Sequence, residues 1–131
     1  TTEVNIVDNK VVLNTNVTGA PSANAGLKVN RGTSADVELL WNETDDQWTL
    51  TNDGTNYHEI TRKYKATLST SATTYTVTHN LGTKDVVVQI YEVASPYAQI
   101  EADVEHTSTS AVTIKFAVAP SAGEYRVVVI G

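Results

Sequence analysis

The chain has 131 residues, with 9 Lys and Arg against 15 Asp and Glu, for a formal charge of −6. Its cations are scattered along the sequence, which speaks against nucleic acid or anionic lipid as a partner, because phosphate binding needs a clustered basic face. Cys is absent, which excludes disulfides and thiolate metal sites. The longest apolar run, VVVI at 127–130, is too short to span a membrane, so no membrane insertion is expected.

This length fits one domain or two small ones, and two halves of about 60 residues would each be marginal. Met is absent even at position 1, which reads as a processed or excised piece of a longer chain. Thr, Val and Asn dominate, helix-forming runs are missing, and the pattern alternates nearly throughout. The expectation is an all-β chain.

In chain order, VNIVDNKVVLN predicts a hairpin around Asp8-Asn9, with Val4 facing Leu13 and Ile6 facing Val11. TGAPSANAG (18–26) is a loop, LKVN a short strand and RGTSA a turn. In LWNETDDQWTLTNDGTNYHEI (40–60), a loop centred on Thr44-Asp45 sets Trp41 opposite Trp48 and Leu39 opposite Leu50. A second turn at Asp53-Gly54 sets Tyr57 opposite Leu50. Val37, Leu39, Trp41, Trp48, Leu50 and Tyr57 then share one face of a three-stranded meander and form its structural core. The opposite face carries Leu40 and Ile60 among polar residues. So little core per chain suggests that copies pack together, with Leu40 and Ile60 as interface candidates. The competing reading folds residues 1–60 back onto the second half.

From Tyr64 the strands lengthen: YKATLS, TYTVTH, DVVVQIYEV, YAQIEADVEH, AVTIKFAV and EYRVVVI, separated by turn-rich segments. Six strands at this spacing predict a β-sandwich or jelly-roll-like unit. Parity assigns Val86, Val88, Ile90, Ile100, Val104, Val112, Ile114, Phe116 and Val118 to the interior. A boundary near Thr61–Lys63 divides a β-hairpin/meander segment (1–62) from a β-sandwich domain (63–131).

NAGLKVNRGTSADVELLWNETDDQWTLTNDGTNY resembles segments of tail-fibre proteins of tailed bacteriophages, and YTVTHNLGTKDVVVQIYE with the closing AGEYRVVVIG resembles a C-terminal β domain of such proteins. The resemblance implies the distal part of a homotrimeric fibre, a virion protein outside the cell, with a shaft or collar part and a tip that contacts a glycan or protein of the host surface. Some such fibres hold an axial metal in a His-x-His pattern; His58, His79 and His106 stand alone here, so no metal site is expected. Two alternatives stand beside the fibre: a monomeric carbohydrate-binding module of a secreted enzyme, and a purely architectural virion protein.

No nucleophile elbow or phosphate loop is present, and no enzymatic activity or cofactor is expected. Glu101, Asp103 and Glu105 alternate along one strand and read as a solvated face balanced by Lys115 or Arg126, because paired catalytic carboxyls need to face each other across a cleft. His79 precedes the NLG turn and is expected to hydrogen-bond it. The receptor-binding candidates are Ser95, Pro96 and Tyr97 in the EVASPY loop, with Tyr91 beside it, since amphipathic rings at an exposed loop suit sugar stacking or a protein contact. Both rings equally suit an interface between copies of the chain, and for Tyr91 the interface is the favoured role.

Overall fold

The computed structural model describes Glu3 and residues 5–131. Among them every regular element is a β-strand and every pairing is antiparallel. The chain divides into two compact units, Thr1–Ile60 and Thr61–Gly131.

The first unit is a four-stranded meander of β1 (Ala25–Val29), β2 (Val37–Asn42), β3 (Gln47–Thr51) and β4 (His58–Glu59), hydrogen-bonded in that order. Trp41 pairs with Trp48 and Leu39 with Leu50, as the turn symmetry predicts. The strand predicted at LKVN starts two residues earlier and joins as a fourth strand, with Leu27 opposite Leu39. Gly26 lies opposite Leu40 there, and a Cβ on it would come 2.9 Å from the Leu40 Cα.

Two expectations for this unit fail. No strand forms between residues 5 and 24, so the hairpin around Asp8-Asn9 is absent; Val4, one of its paired residues, lies outside the described residues. Ile6, Val11, Val12 and Leu13 are exposed. A lone two-stranded hairpin is marginal in water, and Asp8-Asn9 lacks the glycine that the tight turn favours. At the other turn, Leu50 faces His58, one residue further along than the expected Tyr57. The Asp53 carboxylate accepts hydrogen bonds from the Thr51 hydroxyl, the Thr55 and Asn56 amides and the Asn56 side chain. That longer loop replaces a two-residue turn, and a one-residue slip moves a side chain to the other face. Tyr57 accordingly reaches across to donate to the Glu38 carboxylate at 2.6 Å.

The second unit has two sheets. One carries β6 (Thr74–Thr78), β10 (Ala111–Lys115) and β9 (Asp103–Glu105), in the order β6-β10-β9. The other carries β5 (Lys63–Thr67), β11 (Tyr125–Ile130), β7 (Val87–Glu92) and β8 (Gln99–Ile100), in the order β5-β11-β7-β8. Both contribute to one core: Tyr75, Val77, Val112 and Ile114 from the first and Ile90, Val127 and Val129 from the second, closed by Leu68, Leu81 and Val86. Alternation along each strand sends one set inward and leaves the other outside, as in β10, where Val112 and Ile114 are fully buried. β7 is flanked on both sides, which its apolar centre predicts.

Two expectations for this unit also change. YAQIEADVEH is not one strand: β8 pairs with β7, and after Glu101-Ala102 the chain continues as β9 on β10 of the other sheet. Val118 is exposed, because β10 ends at Lys115 and the chain bends away, while Phe116 still packs on the core.

Candidate functional site

The predicted receptor-binding residues gather at one end of the second unit. Ser95, Pro96 and Tyr97 form the connection between β7 and β8, which the Glu92 amide closes by donating to the Ala98 carbonyl at 2.9 Å. The Tyr97 amide donates to the Ala94 carbonyl at 2.7 Å, and its backbone has φ of 61°, a left-handed conformation uncommon for a residue with a side chain. The ring stands 57% exposed. The APSAG loop borders this connection, the Val93 amide donating to the Glu124 carbonyl, and in turn meets the segment after Leu68, where the Gly123 amide donates to the Leu68 carbonyl. EVASPY, APSAG and the segment after Leu68 therefore form one loop set. NLGTK and TSTS form the other, joined where the His79 amide donates to the Ser110 carbonyl.

Tyr91 is half-buried on the outer side of the β5-β11-β7-β8 sheet and donates its hydroxyl to the Gln89 side chain. Opposite it, on β11, stands a residue that the sequence reading used only as a possible counter-charge: Arg126, whose guanidinium carbon lies 5.6 Å from the centre of the Tyr91 ring. Arg126 thus belongs to the other sheet from Glu105, and Lys115 alone of the two meets that ladder, in an ion pair with Glu105. The outward parity of Arg126 is visible in YRVVVI, but its meeting with Tyr91 depends on register.

In the first unit, Leu39, Trp48 and Leu50 share one face, as predicted, but in a single chain that face is open. Trp48 is 45% exposed, and Leu27 and Val29 more so. Trp41 and Trp48 contact edge to face. These residues therefore form a surface of the single chain and not the core that their alternation predicts. Among the described residues of the unit nothing covers this face, and the two buried β3 side chains, Thr49 and Thr51, point to the opposite side. Leu40 lies on that opposite side, half-buried beside Thr49, whose hydroxyl donates to the Leu40 carbonyl. Ile60 is exposed beyond β4, its amide donating to the Trp48 carbonyl.

The opposite side also holds a polar hollow of about 300 Å³ lined by Lys28, Asp36, Glu38, Asp53 and Tyr57 among others. Its groups satisfy one another. Lys28 pairs with Asp36 at 3.0 Å, which raises the lysine's pKa. The Arg31 amide and then Lys28 hold the Asp36 carboxyl below its usual range. The Asn56 side chain, then the Asn56 and Thr55 amides, hold Asp53 far below it. The hydrogen bond to Glu38 raises the Tyr57 pKa.

His79 is 4% exposed, and its Nδ1 accepts the Leu81 amide at 3.1 Å, the turn contact that the sequence predicts. Its Nε2 is buried without a partner. Burial, then the nearby His106, push its pKa down, so the ring is neutral near pH 7. The Nδ1 of His106 lies 2.6 Å from the Lys84 carbonyl oxygen.

Among the described residues no group of three His, Asp or Glu is placed to hold a metal ion, and no helix is long and apolar enough to cross a membrane. Comparison with family models, curated proteins and solved structures gives no match.

Proposed function

We propose that the chain is the distal part of a bacteriophage tail fibre, a non-enzymatic virion protein. It assembles as a homotrimer through its first unit and presents the β-sandwich of its second, jelly-roll-like unit to a glycan or protein on the host surface. The observation that carries this reading is the open face of the meander. Leu27, Val29, Leu39, Trp48 and Leu50 stand together and exposed in a single chain. A contiguous apolar surface of this kind marks an association site. Three copies around an axis would bury it and supply the core that each unit lacks. Of the two interface candidates, this retains Ile60, which the β4 register sets opposite Trp48 on the tryptophan face, and drops Leu40, which sits on the polar side.

The loop set of Ser95, Pro96 and Tyr97 is the adhesive candidate, because loops on a rigid β scaffold carry recognition. Repetition in a trimer would raise weak single-site binding through effective concentration. Light scattering on the purified chain at micromolar concentration tests the assembly: about three chains per particle is the expected mass. A monomer across the range would withdraw the fibre reading in favour of a monomeric carbohydrate-binding module. A trimer without host adsorption would leave the architectural role.

A further inference from the structure

We infer that the outer face of the β5-β11-β7-β8 sheet binds an acidic saccharide, with Arg126 as the residue that receives its carboxylate or sulfate. This deepens the proposed adhesive role and rests on it for its biological setting.

The nine cations look scattered in the sequence, yet the register gathers three of them here. Lys63 faces Ile130, Lys65 faces Val128, and Thr67 faces Arg126. Continuing across β11, these rows reach Val87, Gln89 and Tyr91, and Gln99 extends the last row. The paired positions of this face thus hold Lys63, Lys65 and Arg126 and no Asp or Glu, on a chain whose net charge is −6. Glu101 follows two residues after Gln99, past the last pair.

Of the three, Lys63 and Lys65 are exposed and Arg126 is half-buried. Its Nε–H is buried without a hydrogen-bond partner, and among the described residues no carboxylate lies at ion-pair distance from it. A guanidinium partly withdrawn from water and left without an anion is costly, and a bound oxyanion recovers that cost in a charge-assisted hydrogen bond. Stacking on Tyr91 holds the group in place.

The neighbours favour a saccharide over other anions. Thr67, Gln89 and Gln99 offer hydroxyl and amide groups that can both donate and accept, as sugar hydroxyls require. The row from Thr67 to Gln99 crosses four strands, roughly 14 Å at the usual strand spacing, which suits a short run of sugar rings. It adjoins the connection that carries the exposed Tyr97 ring.

The test uses the full chain over immobilised polygalacturonate, dextran sulfate, neutral dextran, polyglutamate and a DNA oligonucleotide. Retention by polygalacturonate or dextran sulfate above the other three is expected, and which of the two is preferred tells carboxylate from sulfate. Arg126→Gln should weaken it about tenfold or more, as loss of a charged hydrogen-bonding partner does, and Arg126→Lys by less. Equal retention by polyglutamate or DNA, unchanged binding by Arg126→Gln, or no acidic-saccharide binding at all would overturn the assignment. If Arg126→Gln fails to fold, Lys65→Gln and Gln99→Ala, both at exposed side chains, decide it: unchanged binding in both overturns it. Light scattering on the same sample separates the two readings. Three chains without saccharide binding sink only this inference, and a monomer that binds sinks only the fibre.

Discussion

Trp41 and Trp48 meet edge to face across β2 and β3, with ring centroids 5.7 Å apart and planes at 67°. Such a pair adds about 0.5–1.5 kcal/mol beyond its buried area, yet nearly half of Trp48 remains in contact with solvent in a single chain.

Trp48→Ala should therefore lower the particle mass more than it lowers the stability of the second unit. In the parent protein, tryptophan emission should move to shorter wavelength as concentration rises and the face is covered. A variant that kept both its mass and its host adsorption would show that the face has another use.

Gly26→Ala should cost about 1–3 kcal/mol, the range for atoms forced into a packed site. The added carbon meets the backbone of β2, which cannot rotate away as a side chain could. Hydrogen exchange should show faster loss of the β1 and β2 amides with the second unit unchanged. Normal protection of β1 would mean that the strands separate without penalty.

Acid should loosen the end of the second unit that holds His79. Its pKa in the fold is lowered, so the unfolded chain binds more protons. Stability is therefore full above the unfolded histidine value, about 6.5, and falls as the pH drops through it. Protonation would place a second N–H against the Leu81 amide that Nδ1 now accepts. Denaturant unfolding compared at about pH 7.5 and about pH 5 should show the loss. His79→Asn keeps an acceptor near that amide without titrating, and should flatten the pH slope. An equal slope in the variant would assign the effect to other groups.

Tyr97→Ala should reduce adsorption to host cells while particle mass and melting temperature stay as they were, since the ring is exposed and packs on no core. Unaltered adsorption would clear this connection of the role. A fall to monomers would place Tyr97 in the interface between copies.

Residue order made some of this visible and hid the rest for physical reasons. The Trp41–Trp48 register was legible because a symmetric loop fixes both partners. The slip at His58 was not, because the side chain of Asp53, more than any pattern of apolar residues, sets the length of that loop. The break at Glu101-Ala102 was hidden differently. Ile100, Ala102 and Val104 all pack on the core, so alternation runs straight through while the hydrogen-bonding partner changes from β7 to β10. Periodicity reports where side chains point and says nothing about which strand lies alongside. Arg126 escaped notice as part of a site for the same reason.

The register of β5 and β11 has a mechanical consequence. Arg62 and Gly131 exchange both backbone hydrogen bonds, so the two ends of the second unit lie side by side. Tension drawn between these two points would load the Arg62–Gly131 bonds first and then the β5–β11 bonds one after another, as a zipper opens. The Tyr91–Gln99 pair of β7 and β8 lies at the far end of the same sheet, level with Arg126 and Thr67, with the β7–β8 connection beyond it. A pull between Arg62 and that far end runs along the strands and shares the load across many bonds at once, as in shear. The unit is thus weak against being peeled at its base and strong against being tugged from its far end.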